Sequence, residues 1–140
     1  MTDPLEKSQT APKFAAPDPA ALAKWYGEAL GFPGQAVFAG GDYAVVSRGR
    51  LTLHFWKCEE RRIAENTACY TEIETCEDLD ALHAEWSANA RKPGFHPGRI
   101  EDTPIDKPGH GMREFHVWDP AGNLIGLGAV LGNAGEKNAD

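Results

Sequence analysis

The residues able to do chemistry in this chain are five histidines, three cysteines and 21 acidic side chains. A catalytic metal needs two or three His, Cys, Asp or Glu ligands brought together. His83 falls in a helical stretch, His96 in a loop and His116 in a strand-like run, and none has a second ligand at a fixed spacing. Cys58, Cys69 and Cys76 are odd in number and contain no C-x-x-C pair. They read as small, buried, reduced side chains, with the cytoplasm as the expected compartment. No Gly-x-Ser-x-Gly elbow, phosphate-binding glycine loop or dinucleotide fingerprint occurs. Nothing marks an activating base beside the cysteines, which would be the route to covalent catalysis; noncovalent chemistry is the other route. Aromatic faces stack on flat heterocycles and hold cations, each contact contributing about 0.5–2 kcal/mol. The run 51–57 (LTLHFWK) sorts such groups by alternation. Leu51, Leu53 and Phe55 point one way, and Thr52, His54 and Trp56 the other.

The elements that must position these groups are readable in order. Asp18 is an N-cap, Pro19 suits the first helical position, and Leu22, Trp25, Tyr26, Ala29 and Leu30 recur at helical spacing. Gly31 supplies a left-handed C-cap and Phe32-Pro33 ends the helix. Before it, the Pro-flanked segment 12–17 can only be an edge strand. Three strands follow at 35–39, 42–48 and 51–57. The charged stretch 59–66 reads as a linker. The order then repeats. A strand is expected over 67–75, and Thr75 with Asp78 caps a helix carrying Leu79, Leu82 and Trp86 on one face. Strands are expected at 100–105, 112–118 and 123–130, the last two joined by the turn Asp119-Pro120-Ala121-Gly122-Asn123. The fold class is therefore α+β: two βαβββ modules, 12–58 and 67–131, with helices on the outer face of a concave sheet. Residues 1–11 and 132–140 are expected to be flexible ends.

The chain carries a net charge of −7 and 41% apolar residues over 140 positions. That suits one folded domain and argues against nucleic acid or an anionic membrane as partner. No apolar run reaches about 18 residues, so no membrane span is expected. The opening MTDPLEKSQT lacks the apolar segment of a secretory signal.

The segment 110–123 (HGMREFHVWDPAGN) resembles the signature near the end of glyoxalase/bleomycin-resistance domains, in the vicinal oxygen chelate superfamily. Trp25-Tyr26 with Leu30-Gly31-Phe32 resembles the first-helix signature of the same group. Asp78-Leu79-Asp80-Ala81-Leu82, followed by Ala84-Glu85-Trp86, resembles the second helix of the bleomycin-binding members. The likeness spans about residues 12–130. It implies paired βαβββ modules and, in the resistance proteins, a homodimer with ligand grooves at the subunit interface. Metal-dependent members place ligands on the first and last strand of each module. The last-strand Glu position falls here on Gly126, the second opening strand would carry its His near Ala68, and the first offers Lys13 and Phe14. His54 alone remains, and one ligand does not hold a catalytic metal.

With Gly126 facing the groove by this likeness, parity puts Leu124 and Gly128 beside it, with Met112, Glu114, His116 and Trp118 on the neighbouring strand. Tyr70 and Glu72 face it from strand 67–75, and His54 and Trp56 from strand 51–57. Bleomycin-binding relatives clamp the drug's planar bithiazole between two aromatics from different subunits. Tyr43 matches one position, and His110 stands where the other carries Trp. The expected ligand-binding set is thus Tyr43, His54, Trp56, Tyr70, Glu72, His110, Met112 and Glu114. The expected activity is non-catalytic binding and sequestration of a small, flat or cationic, bleomycin-like drug. No metal or cofactor is called for, and the partners are the small molecule and a second copy of the chain. Two alternatives stay open. One is an atypical metal-dependent glyoxalase- or dioxygenase-like enzyme using His54 with Glu114 or His116; the other is a module whose groove serves only to dimerise.

Overall fold

Two short sequence signals start the two long helices, and both act through a side-chain oxygen. In the computed structural model, which describes residues 3–132, Asp18 accepts from the Ala21 backbone N–H at 3.1 Å. Thr75 Oγ1 accepts from Asp78 N–H at the same distance. Helix α1 runs Pro19–Leu30 and ends on Gly31 with φ 70°, a left-handed conformation that glycine adopts without penalty. The second long helix, Cys76–Ala90, is α3. Between them lies α2, Arg61–Ala64, so the stretch read as a linker contains one helical turn.

Strands β1 (Lys13–Ala16), β2 (Gly34–Phe38), β3 (Tyr43–Arg48) and β4 (Leu51–Lys57) form one sheet in the order β1-β4-β3-β2. Strand β1 is an edge, parallel to β4, as its prolines require. The second sheet contains β5 (Ala68–Glu72), β6 (Arg99–Ile100), β7 (Ile105–Lys107), β8 (Met112–Trp118) and β9 (Leu124–Val130). Its order is β5-β9-β8-β6, with β7 also paired to β8. The single strand expected at 100–105 is thus two short pieces separated by a bend. Pro104 lies in that bend, and proline donates no ladder hydrogen bond. Strand β5 ends at Glu72 rather than residue 75. Of the ends expected to be flexible, 1–11 and 132–140, residues 1–2 and 133–140 lie outside the described residues. Near the N-terminus, Asp3 caps a short 3-10 turn at Pro4–Lys7.

Each sheet turns alternate side chains inward. Phe14, Val46, Leu53 and Phe55 from the first sheet and Phe115, Val117, Ile125 and Leu127 from the second are all at most 1% exposed. Helix α1 covers the first sheet, α3 covers β8 and β9, and the two helices meet. The inner faces and both helices therefore share one core. The cysteines are free and half-buried at its margin, rather than fully buried. Burial pushes the Cys69 thiol up to about 11, which leaves it protonated and unreactive at neutral pH.

The modules are also joined by polar groups, although Asn123 Oδ1, buried in the same seam, has no hydrogen-bond partner. The last carbonyls of α1 have no intrahelical donor. Leu30 C=O accepts from Trp86 Nε1 at 3.0 Å and from Arg48 Nη1 at 2.8 Å. Ala29 C=O accepts from Asn89 Nδ2 at 2.9 Å. At the other end of the seam sits the turn 119–123. Asp119 Oδ1 accepts backbone N–H bonds from Ala121, Gly122 and Asn123, and Oδ2 accepts from Tyr26 Oη at 2.8 Å. Asn123 Nδ2 donates to Ala15 C=O at 2.9 Å. Burial pushes the Asp119 carboxyl above its ordinary value while these donors pull it back.

Asp119 is 2% exposed and Tyr26 fully buried, so neither can exchange its partner for water. Tyr26→Phe is expected to cost about 1.5–3 kcal/mol, the range for a hydrogen bond to a charged group. Asp119→Ala, which orphans the whole set of donors, is expected to cost about 4 kcal/mol or more. Urea denaturation midpoints measure both, and equal, small losses would show that the turn is not a structural joint.

Candidate functional site

Alternation that sends one row of each sheet inward sends the next row out. On the first sheet the outer row holds Phe38, Tyr43, His54 and Trp56, in the register Phe38↔Tyr43 and Tyr43↔Trp56. Lys13 of β1 lies opposite His54. Tyr43 Oη and His54 Nδ1 are 2.7 Å apart, and the Lys13 ammonium stands 5.9 Å from the Tyr43 ring centroid. Phe38 and Trp56 are 52% and 36% exposed. The outer face of this sheet therefore carries apolar ring surface open to solvent.

On the second sheet the outer row holds Tyr70, Glu72, Met112, Glu114, His116 and Trp118. The register places Tyr70 opposite Gly126 and Glu72 opposite Gly128. These two glycines have a steric reason. A Cβ on Gly128 would overlap Tyr70 Oη, and one on Gly126 would stand 3.1 Å from Tyr70 Cδ1. The Tyr70 ring therefore lies across β9 in a trough that only glycine leaves open. Its hydroxyl reaches Glu114 Oε2 at 2.8 Å. Burial and this carboxylate push the phenol up to about 12. Burial would raise Glu114, but the Tyr70 hydroxyl and the Lys107 ammonium, 3.4 Å from Oε1, outweigh it and hold the carboxyl below its ordinary value. Glu114 is thus an anion at neutral pH, anchored beside an aromatic ring that is half exposed. An open cleft of about 720 Å³ borders Tyr70 and Glu72 and reaches Arg48 and Arg50.

The expected residues therefore form two groups within one chain. Tyr43, His54 and Trp56 share the first open face. Tyr70, Glu72, Met112 and Glu114 share the second, with His110 at the hairpin turn leading into β8, exposed and close enough to act on Glu114. No hydrogen bond, ion pair or ring contact joins the two faces among the described residues. The pairing of His54 with Glu114 or His116 in one site is not made within the chain. Further groups on the second face escaped the set: Lys107, Arg99, whose guanidinium lies 3.6 Å from the Trp118 ring centroid, and Glu101, which holds His116. His116 and Trp118 lie on this face, as parity in the sequence places them. Glu101 has no such signal, because the bend between β6 and β7 hides its alternation.

The residues do not fit a metal held in the manner of the metal-dependent relatives. The first and last strands of the modules put Lys13 opposite His54 and Tyr70 opposite Gly126. Of these only His54 is a metal-ligand type found at such sites, and its Nδ1 is taken by Tyr43. Among the described residues, no three His, Cys, Asp or Glu side chains come together in a group that could hold a metal ion. No helix among them is long and apolar enough to cross a membrane.

Comparison with known proteins agrees with this architecture. The bleomycin-binding protein of bleomycin-producing Streptomyces verticillus, solved with copper(II)-bleomycin, is 30% identical with a TM-score of 0.69, over 85% of this chain and 93% of that one. The bleomycin resistance determinant encoded on transposon Tn5 is 24% identical with a TM-score of 0.64, over 89% and 99%. A glyoxalase-related enzyme from Clostridium phytofermentans shares the fold at 22% identity, with a TM-score of 0.64 over 88% and 95%. No curated protein sequence matches. Residues 9–127 match the Glyoxalase/Bleomycin resistance protein/Dioxygenase superfamily, and the chain belongs to that family.

Proposed function

We propose that this protein binds and sequesters a flat or cationic small molecule of the bleomycin class without transforming it. The observation that carries the reading is the Tyr70 platform. A ring laid into a glycine trough, half exposed and edged by the anionic Glu114, is shaped for stacking on a planar heterocycle and attracting a cation. The ring lies over Gly126, the position that the resemblance assigns to a last-strand ligand in metal-dependent members. Bleomycin binding by the Streptomyces verticillus protein supports the choice of ligand class.

The two open faces belong to different sheets of one chain. A groove that uses both needs a second copy, so that Tyr43, His54 and Trp56 of one protomer stand opposite Tyr70 and Glu114 of its partner. Both faces carry exposed aromatic area of the kind such an association buries.

Titration calorimetry with metal-free bleomycin is expected to show saturable binding at about 10 µM or below, and sedimentation a dimer at the same concentrations. Tyr70→Ala is expected to weaken binding about tenfold, one stacking contact. Gly128→Ala, which evicts the ring without touching a ligand atom, is expected to lose about as much. Absence of heat would remove bleomycin as the ligand, and a monomer with full affinity would remove the composite groove.

Glu72→Gln with Glu114→Gln tests the acidic contribution separately. Affinity for the cationic drug is expected to fall and its salt dependence to flatten. If neither changes, the acids serve solubility alone.

A further inference from the structure

One row across the second sheet reads Tyr70, Gly126, His116, Glu101. Tyr70 and His116 are both register partners of Gly126, and Glu101 N–H donates to His116 C=O at 3.1 Å. Glu101 Oε1 accepts twice from His116, from the backbone N–H at 2.9 Å and from Nδ1 at 3.0 Å. The two side chains are 31% and 24% exposed. A carboxylate held at Nδ1 fixes the tautomer, so the neutral ring keeps its lone pair on Nε2. That atom makes no hydrogen bond among the described residues. It stands 3.5 Å from where a Cβ of Gly126 would be, and Tyr70 Cδ1 closes the opposite side at 3.1 Å. Gly126 is therefore the floor of a slot with a phenol for one wall and a carboxylate-held imidazole for the other.

We propose that His116 Nε2 is a ligation point for a metal ion that the small-molecule ligand carries in already chelated. A carboxylate–histidine pair with a free Nε2 is the arrangement that ligating histidines use. Among the described residues, no further His, Cys, Asp or Glu completes a metal-holding group around this one. One imidazole suffices for an ion whose other positions are filled by a chelator and which retains one exchangeable position. Imidazole suits Cu(II) in particular. The carboxylates Glu101, Glu114 and Glu72 and the cations Lys107 and Arg99 border the same face, leaving it net acidic and favouring a positively charged chelate. The site differs from the strand positions that metal-dependent relatives use, because His116 lies on β8, between β9 and β6.

The inference rests on the proposed binding function, and the test separates the two. Affinities for Cu(II)-bleomycin and metal-free bleomycin are compared in the full chain, in His116→Gln and in Glu101→Gln. The full chain is expected to prefer the copper form by about tenfold. His116→Gln is expected to bind the two forms alike, with a circular dichroism spectrum and urea midpoint matching the full chain to show that the variant is folded. Glu101→Gln is expected to reduce the preference in part. Electron paramagnetic resonance of the bound Cu(II)-bleomycin is expected to shift on binding to the full chain and not to His116→Gln. An unchanged copper spectrum, or a shift that survives His116→Gln, overturns the assignment even if bleomycin binds well. If bleomycin does not bind in either form, the proposed function fails on its own. Cu(II)-iminodiacetate, a small chelate with open positions, then tests His116 directly. A spectral difference between the full chain and His116→Gln upholds the ligation point, and no difference overturns it.

Discussion

Desolvating a carboxylate costs several kcal/mol unless hydrogen bonds replace the lost water, and Asp119 is 2% exposed. Its replacement shell comes from both modules. The turn 119–123 supplies backbone N–H groups, and Tyr26 of α1 supplies a hydroxyl. Asn123, fully buried in the same turn, reaches across to the β1 carbonyl of Ala15. Apolar burial is non-directional and would tolerate several docking angles between two similar modules. A set of buried bonds with fixed lengths and directions tolerates far fewer. The relative placement of the sheets, and with it the direction of each open face, follows from this joint together with the capping of α1 by Trp86, Arg48 and Asn89.

Once the inner faces are committed to a shared core, the outer faces inherit whatever parity leaves them. On β9 the inner row is Ile125 and Leu127, and the outer row between Leu124 and Val130 is Gly126 and Gly128. Two glycines in a strand weaken it by removing side-chain contacts and adding backbone entropy to be lost. The Tyr70 ring offsets that by lying in the space and tying β5 to β8 through Glu114. The strand that looks weakest by composition is thus the one across which the Tyr70 ring lies. The slot beside His116 is a consequence of the same glycine.

Alternation and turn chemistry made most of this legible in sequence. The caps at Asp18, Gly31 and Thr75, the edge position of the Pro-flanked strand and the pairing of Trp118 with Leu124 all follow from local rules, and the structure has each of them. Three things did not follow. The break between Ile100 and Ile105 depends on how β8 pairs with two short pieces in turn, which no local pattern encodes. Glu101 was therefore invisible as the partner of His116. The distribution of the open-face residues over two separate faces depends on the docking of the modules, a long-range matter set by Tyr26 and Asp119, 93 positions apart.

The acidity of the chain also changes meaning when placed in space. At a net charge of −7 the molecule repels polyanions, but much of the charge on the second sheet is locally answered. Arg113 bonds Asp106 and Asp80, and Lys107 stands by Glu114, while Glu101 is held in place by hydrogen bonds from His116 and keeps its charge. Glu72 forms no ion pair among the described residues, and it lines the cleft together with Tyr70. Paired carboxylates such as Glu114 fix geometry, because moving them breaks a bond to a neighbour. An unpaired one acts on a charge in solution, at a range limited by salt to about 8–10 Å. The open face thus combines carboxylates fixed by neighbours, Glu114 and Glu101, with Glu72, which forms no ion pair among the described residues, around the Tyr70 ring.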